Sequence, residues 1–292
     1  MTSGMALLNI VATPIGNLQD FSPRGIETLR GADLIIAEDT RVTMKLCQVF
    51  DLHAPLISCH RHSGESKAQA IAERIAGENL TAALVTDAGT PCISDPGNEV
   101  AAACIALGVP VIPIPGCCAG IAAISVSGFD AREFAFYGFL PREKKAIREK
   151  LTEIGRGPRV AVLHESPHRI CLLTEMIGEV FPDSRLTVCC DLTKRYEKTL
   201  YGSPAEILAA LEKNEKTEKG EYCVVLALPE KEEAPAEPEG AESLEGRLIR
   251  LMKQEGIGLR EAQERLTEAG EKKNAVKQAA LTLKRIAAEI ME

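Results

Sequence analysis

The feature that most constrains the fold is a regular alternation of short apolar runs with segments of helical periodicity. Runs rich in Val, Ile and Leu include ALLNIVA (6–12), DLIIAED (33–39) and TAALVTD (81–87). A helical pattern follows each run, and the first of them, SPRGIETLRGA, opens with a Ser cap and a Pro. Apolar strands that alternate with helices are typical of a parallel sheet covered on both faces. We therefore predict an α/β fold whose first sheet is mostly parallel.

The pattern changes after residue 116 of the 292-residue chain. Two strand-like runs, 184–193 and 197–203, follow each other closely, which predicts a second, mixed sheet with more antiparallel pairing. A Pro/Glu/Ala-rich stretch then predicts a semi-stiff linker, and the last segment has apolar residues at helical spacing. The predicted divisions are an N-terminal α/β domain (1–116), a second α/β domain (117–228), a linker (229–241) and a small helical C-terminal domain (242–292).

Composition limits the class of protein. No apolar run approaches the roughly 20 residues of a membrane span, and the N-terminus lacks the pattern of a secretory signal. Ten cysteines occur without a CxxC pair, so we interpret them as free thiols of a cytoplasmic protein. The net charge of −8 argues mildly against a nucleic-acid partner. Half of that excess lies in the predicted linker, however, and the segment REKKAIREK (142–150) is locally basic.

Three unusual loops follow predicted strands of the first sheet. They are TPIGNL (13–18), EDTR (38–41) and DAGTPCISDPG (87–97). Open α/β sheets bind ligands at the carboxyl ends of their strands, so we expect these loops to face one crevice.

The third loop is longer than a chain reversal requires. Gly89 and Gly97 allow the backbone to approach a ligand, and Ser94 and Asp95 offer hydrogen-bond acceptors. This pattern favours a nucleoside-containing cofactor, and the alternative is a long turn with two Asx-type caps. The chain has no GxGxxG after the first strand and no GxxxxGK[ST], which argues against a dinucleotide or triphosphate held by its phosphates.

Five strings together resemble the ribosomal RNA small-subunit methyltransferase I family of the tetrapyrrole methylase superfamily. They are VATPIGNLQDFSPRGIETLRGADLIIAEDTR, DAGTPCISDPG, GFLPREK, ESPHRI and DLTKRYEK. The resemblance runs from about Leu8 to Leu228. It implies S-adenosylmethionine-dependent 2′-O-methylation of a cytidine ribose in 16S ribosomal RNA, near the decoding centre of the small ribosomal subunit. It also implies a homodimer and a cofactor lodged between the two α/β domains.

The sequence departs from the family pattern at three places. PGCCAGIAAISVSG stands where Pro-Gly-Pro-Ser-Ala is usual, CDLTK where Arg-Glu-Leu-Thr-Lys is usual, and CHRHSGES is irregular. These departures bear on individual contacts more than on the fold or the reaction.

The resemblance also implies which residues bind the cofactor. They are Pro14, Asp87, Ala88, Gly89, Ile93, Ser94, Ala119, Tyr137, Ala227 and Pro229. Two of them have simpler alternatives, because Pro14 suits a turn and Ala119 suits helix packing.

Polar residues near the same strings are candidates for catalysis and RNA binding. The catalytic candidates are Asp39, Arg41 and Lys194, and the RNA-binding candidates are His60, His62, Arg142, Lys144, Lys145, Glu165, His168 and Arg169. Structural alternatives stay open for several of them. Glu38 and Asp39 are alternatively caps of the helix that begins at Thr40. Arg41 is alternatively the ion-pair partner of Asp39, and Lys194 that of Glu197 at the surface. ESPHR suits a cap that offers Arg169 to the substrate, and 142–150 suits a solvated helix face.

Two other functions compete with RNA methylation. One is methylation of a small tetrapyrrole, although such enzymes usually have a shorter Gly-Asp-Pro loop in place of DAGTPCISDPG. The other is a non-enzymatic nucleoside-binding regulator whose helical tail binds a partner, with EGIGLREAQERL as part of a helix-turn-helix. The nearly balanced charge of the tail argues against DNA. The string CHRH lacks the ligand spacing of a zinc site, so we predict no metal.

Overall fold

The computed structural model describes residues 6–60, 64–214, 217–229 and 243–291, with side chains described as far as residue 285. The chain divides into two compact units, Met1–Glu230 and Lys231–Glu292. The first unit contains two five-stranded sheets.

The first sheet is entirely parallel, as the alternation of strands and helices predicts. Its strands are β1 (Leu7–Val11), β2 (Leu34–Ala37), β3 (Leu56–Ser58), β4 (Thr81–Val85) and β5 (Val111–Ile114), in the order β3-β2-β4-β1-β5. Because all five strands run the same way, the loops that follow β1, β2 and β4 lie at one edge of the sheet.

Four helices cover both faces of this sheet. They are α1 (Pro23–Arg30), α2 (Thr40–Phe50), α3 (Gly64–Gly77) and α4 (Asn98–Ala106). Side chains of α1 and α2 pack on one face around Ile35 and Val85, and those of α3 and α4 pack on the other around Ile36 and Leu84. Each fully buried Ile or Leu of this kind contributes roughly 2 kcal/mol to folding.

The second sheet is mixed, which confirms the predicted fold class. Its strands are β6 (Phe134–Phe139), β7 (Val160–Glu165), β8 (Arg185–Cys190), β9 (Lys198–Gly202) and β10 (Tyr222–Ala227), in the order β6-β7-β10-β8-β9. The β6–β7 pair is parallel, and the other three pairs are antiparallel. The predicted neighbours, β8 and β9, do pair directly.

The two faces of the second sheet have different coverings. Helices α6 (Lys144–Ile154), α7 (Ile170–Val180) and α8 (Pro204–Glu212) pack on the face that carries Leu163 and Val224. The opposite face, with Val162 and Val225, packs on α5 (Ala119–Ser127). Helix α5 covers only part of that face, and the remainder lines the cavities described below.

The second unit contains three helices around its own small core. They are α9 (Leu244–Glu255), α10 (Leu259–Glu268) and α11 (Lys273–Met291). Leu248, Leu266 and Val276 form the centre of that core, so the apolar spacing predicted for 242–292 does produce helices. The predicted linker lies almost wholly outside the described residues, and the domain boundaries stay predictions. Among the described helices, none has the length and apolar character needed to cross a membrane.

Candidate active site

The three predicted loops meet at the carboxyl edge of the first sheet. The loop after β1 pairs with the loop after β4, because the Thr13 N–H donates to the Gly89 carbonyl at 2.9 Å and the Gly89 N–H donates to the Thr13 carbonyl at 3.1 Å. The loop after β2 joins them, since the Asp39 N–H donates to Asp87 Oδ1 at 3.2 Å. The Thr86 hydroxyl also donates to Glu38 Oε2 at 2.7 Å.

Two glycines of the third loop adopt backbone conformations that other residues rarely take. Gly89 has a φ of +87° and Gly97 a φ of +125°. A Cβ on Gly97 would lie 2.8 Å from Leu84 Cδ2, so this turn also needs the close approach that glycine permits. The glycines thus give the bare stretch of backbone that the sequence predicts.

A cavity of about 420 Å³ lies between this loop and the second sheet. Five predicted cofactor residues line it, namely Ala88, Gly89, Ile93, Ser94 and Ala119. Phe134, Phe136 and Val162 form the opposite wall, so most of the lining is apolar. A cavity of this size and character is typical of a small-molecule or cofactor site.

A second cavity, of about 400 Å³, adjoins the first. The two share Ala88, Ser94, Ala119 and His164. The second cavity is also lined by polar residues near the ends of β7 and β10, namely the predicted RNA-binding residue Glu165 with Ser166 and Glu221. The two cavities therefore form one continuous region with an apolar half and a more polar half.

A third cavity, of about 270 Å³, lies on the α2 side of the Thr13–Gly89 pairing. It contains two more predicted cofactor residues, Pro14 and Asp87, and its other wall is the helix face that carries Val42 and Lys45. The structure thus divides the predicted cofactor residues between two sides of one backbone wall. Desolvation, with the charge of Glu38 adding to it, raises the pKa of Asp87.

Asp39 and Arg41 form a local ion pair at the start of α2. Asp39 caps the helix by accepting from the Arg41 N–H at 2.8 Å, and the Arg41 guanidinium contacts the same carboxylate. These hydrogen bonds hold the pKa of Asp39 at about 2. Neither residue lines the three cavities, so the capping and pairing alternatives describe what the structure shows. Glu38 does not cap the helix and instead accepts from Thr86.

Lys194 lies beside the polar half of the cavity pair. Its Nζ contacts Asp191 Oδ1 at 2.9 Å and Glu221 Oε2 at 3.0 Å. The alternative of an ion pair between Lys194 and Glu197 is therefore wrong. Partial burial opposes the charge of Lys194, but these two carboxylates outweigh that effect and raise its pKa. The side chain is therefore a fixed cation at neutral pH.

The turn that carries Lys194 packs tightly against the loop after β1. Asp191 and Thr193 have φ values of +52° and +67°. The Asn17 N–H donates to Thr193 Oγ1 at 3.1 Å, and a Cβ on Gly16 would lie 2.6 Å from Lys194 Cγ. This contact joins the two sheets of the first unit and fixes Lys194 relative to both.

Three predicted cofactor residues lie away from the cavities. The Tyr137 ring points to the opposite face of the second sheet, where Lys150 lies over it and a Cβ on Gly157 would approach its hydroxyl. Ala227 pairs with Val160, at the end of β10 remote from Tyr222, and Pro229 is exposed beyond that end. The structure does not bring these side chains to the lining of the cavities.

The predicted RNA-binding residues fall into two groups. Glu165 and Arg169 form an ion pair at 3.2 Å, and Arg169 also donates to the Pro141 carbonyl at 2.6 Å. Arg169 is thus turned inward, and no side chain caps α7 there, which corrects the capping interpretation of ESPHR. The exposed members of the predicted set are His60, Arg142, Lys144, Lys145 and His168. His62 lies outside the described residues.

His164 is the residue that sequence reasoning missed. It lines both adjoining cavities, and the rings of Phe136 and Phe139 pack edge-on against it at 5.1 and 5.6 Å between centroids. Its Nε2 is buried and has no hydrogen-bond partner among the described residues. Burial lowers the pKa of His164, so the ring is neutral at pH 7. The only sequence signal is a histidine near the end of an otherwise apolar strand.

Comparison with known proteins agrees with this architecture. The family model of Tetrapyrrole (Corrin/Porphyrin) Methylases matches residues 7–208. Two solved structures share the fold. Diphthine synthase has a TM-score of 0.55 and 17% identity, and the match covers 76% of this chain and 90% of that one. A Thermus thermophilus uroporphyrin-III C-methyltransferase complexed with S-adenosylhomocysteine has a TM-score of 0.51 and 14% identity, and the match covers 76% of this chain and 97% of that one. The fold class is that of the tetrapyrrole methylases.

A more similar relative narrows the assignment. The "Ribosomal RNA small subunit methyltransferase I" of a Synechocystis species is 41% identical over 266 residues, which cover 90% of this chain and 93% of that protein. The chain therefore belongs to the ribosomal RNA small subunit methyltransferase I family, within the tetrapyrrole methylases. This membership confirms the predicted family and the prediction that the chain is a methyltransferase.

The unpartnered His164 nitrogen yields a prediction about stability. Because a buried polar atom without a partner destabilises the fold, His164→Phe should raise the free energy of unfolding by about 1 kcal/mol, measured by urea denaturation. His168→Phe is the matched control at an exposed position, and it should change stability by less than about 0.5 kcal/mol. A loss of stability in the His164 variant would show that its nitrogen is satisfied in solution.

Proposed function

We propose that this protein methylates the 2′-hydroxyl of a cytidine ribose in 16S ribosomal RNA, near the decoding centre, with S-adenosylmethionine as the methyl donor. The names of its relatives support a ribosomal RNA substrate. The observation that carries the proposal is the pair of adjoining cavities, one apolar and one more polar, that share the wall formed by Ala88, Ser94 and Ala119.

The apolar cavity fits a nucleoside-containing cofactor. Its volume of about 420 Å³ is ample for one, and the bare backbone at Ala88 and Gly89 permits a close approach. Phe136 and Val162 offer apolar surface to an adenine ring, while Ser94 and Asp95 offer polar contacts at the rim. S-adenosylmethionine supplies the electrophile, a methyl group on a sulfonium centre, so the main task of the chain is to position the two reactants.

The polar cavity suits the acceptor nucleotide. Phe139 is 62% exposed and offers a surface on which a base can stack, while the exposed Glu221 carboxylate offers a hydrogen-bond acceptor. Because the two cavities share a wall, an acceptor hydroxyl in this one lies beside a donor in the other. Such adjacency is what a direct, in-line transfer requires.

Lys194 is the residue that we assign to catalysis on the strength of its position. In the transfer, the acceptor oxygen would bond to the methyl carbon as the bond from that carbon to the sulfonium sulfur breaks. S-adenosylhomocysteine would leave and the hydroxyl proton would pass to solvent water, so negative charge would develop on the acceptor oxygen before the new bond is complete. The Lys194 ammonium is held by Glu221, which lines the acceptor cavity, and it favours that charge. Its raised pKa makes it a cation and not a base. Asp39 and Arg41, the other two predicted catalytic residues, line none of the three cavities, so we propose RNA contact for them in place of catalysis.

RNA contact in the first unit falls to the start of α6. Arg142, Lys144 and Lys145 are exposed and lack ion-pair partners among the described residues. They follow the exposed ring of Phe139, and such a combination of cations and an aromatic suits phosphate and base contacts. Farther along the helix, Arg148 pairs with Glu179 and Lys150 with Glu153, so those cations are neutralised.

The assembly and location complete the proposal. A homodimer is supported by the family resemblance, and the exposed side chain of Val126 on α5 offers apolar surface that a second copy would cover. Ten free thiols, several of them buried, support a cytoplasmic location. Light scattering of the purified protein tests the dimer.

The direct test is a transfer assay with methyl-labelled S-adenosylmethionine. Small ribosomal subunits from cells that lack the activity serve as acceptor, and the RNA is then digested to nucleosides. We expect the label in 2′-O-methylcytidine. Label in a base, or unlabelled RNA despite intact cofactor binding, would contradict the proposal, and transfer to a tetrapyrrole instead would support the competing small-molecule function.

Cofactor placement is tested at Gly89. Val at this position would strain a backbone with φ of +87° and place a Cβ 3.4 Å from Ile15 Cγ2, so affinity for S-adenosylmethionine should fall at least about tenfold by calorimetry. Gly108→Val is the control, since Gly108 has a φ of +73° but its Cβ would meet no atom within 4 Å. Equal affinities of the two variants would remove this loop from the cofactor site.

The role of Lys194 is tested by removing its charge. Lys194→Met keeps an apolar stem of similar length, and kcat should fall about a hundredfold while the calorimetric Kd for S-adenosylmethionine stays unchanged. Lys194→Arg keeps the cation, so most of the activity should return. An unchanged kcat in the Met variant, or a loss of equal size in the Arg variant, would assign Lys194 a purely structural role.

A further inference from the structure

The helical unit at the C-terminus is nearly neutral in total, yet its charges are segregated along the chain. Residues 243–271 carry six acidic and five basic side chains, whereas residues 272–285 carry five basic side chains and no acidic one. The near-balance of the whole segment therefore conceals a basic stretch at the start of α11.

Ion pairs neutralise most of the arginines of the first two helices. Arg247 pairs with Glu271, Arg265 with Glu255 at 3.4 Å, and Arg260 with Glu264 at 3.7 Å. These contacts leave little free positive charge on α9 and α10.

The lysines of α11 differ in this respect. Lys273, Lys277 and Lys284 are exposed, and the part of the chain with described side chains gives none of them an ion-pair partner. At 3.6 residues per turn they lie within roughly 40° of one another around the helix axis, over a length of about 16 Å. We call these three residues the lysine stripe.

The buried side of α11 holds the lysine stripe in place. Val276, Ala279 and Ala280 are buried in the core of the C-terminal unit. The helix is thus anchored along one side while the neighbouring side presents three ammonium groups at regular intervals. Asn274 and Gln278 are exposed on the same helix and add neutral hydrogen-bonding groups.

We propose that the lysine stripe is an RNA-binding surface that contacts the phosphate backbone of the substrate. The inference rests on the proposed function for the choice of RNA, and on charge complementarity for the surface itself. Three ammonium groups spread over about 16 Å reach separate phosphates, and each contact releases a bound counterion. An anchored helix needs little further ordering to make these contacts, which favours binding.

The test compares two full-length variants that lose the same charge. The stripe variant is Lys273→Gln, Lys277→Gln and Lys284→Gln. The control variant is Lys213→Gln, Lys219→Gln and Lys253→Gln, at exposed lysines outside α11. Glutamine keeps a helix propensity close to that of lysine, and circular dichroism verifies that both variants fold. Affinity for a fluorescein-labelled RNA hairpin is measured by anisotropy between about 50 and 200 mM KCl.

The stripe variant should bind RNA about a hundredfold more weakly than the wild type at about 0.1 M KCl, and its plot of log affinity against log salt should be flatter by about 2. The control variant should stay within about threefold of the wild type. Equal affinities of the two variants for the RNA hairpin would overturn the proposal. The lysine stripe would then be a solvated surface or a contact for an acidic protein. Because the readout is binding and not methyl transfer, failure of the proposed reaction would not imitate either result.

Discussion

Two backbone hydrogen bonds between Thr13 and Gly89 underlie the arrangement of the candidate site. They join the loops that leave β1 and β4, which are neighbours in the sheet, just beyond the point where the ladder ends. The result is a wall of main chain with the cofactor cavity on one side and the α2 cavity on the other. Since the wall is backbone, its position is set by the sheet and not by flexible side chains. The positive φ of Gly89 belongs to this arrangement, because it turns the chain into the wall without the strain that a Cβ would add.

The second sheet is held against this wall by a turn with unfavourable local geometry. Asp191 and Thr193 both adopt the left-handed region, at a cost of order 1 kcal/mol each. Thr193 recovers part of it by accepting from the Asn17 N–H, and Lys194 pairs with Asp191 inside the same turn. Backbone strain that other contacts offset in this way indicates that the turn has a functional role. Here it places the Lys194 cation beside the acceptor cavity while the turn packs on Gly16.

The sequence predicts the fold and the meeting of the three loops because both follow from periodicity. Parallel strands put their carboxyl ends at one edge whatever the side chains are, so the loops after β1, β2 and β4 had to meet. Side-chain direction in β6 is a different matter. In a regular strand, Phe136 and Phe139 would point to opposite faces of the sheet. A bulge shifts the register between Phe136 and Gly138, so both rings pack on His164 while Tyr137 points to the other face. Likewise, Lys194 finds Glu221 across 27 residues of chain, a pairing that only the order of β8 and β10 creates.

A protein of net charge −8 that acts on RNA must separate its charges in space. At physiological salt, the Debye length is about 8 Å, so a phosphate senses the groups within that distance and little of the total charge. Ion pairs cancel many of the exposed arginines: Arg148 on α6 pairs with Glu179 on α7, and Arg265 pairs with Glu255 in the C-terminal unit. Among the described residues, the cations without an ion-pair partner include Lys144 and Lys145 at the start of α6 and the lysine stripe on α11. Both groups stand on helices whose other sides are buried, so local pairing, and not the overall balance, determines where such a chain can approach RNA.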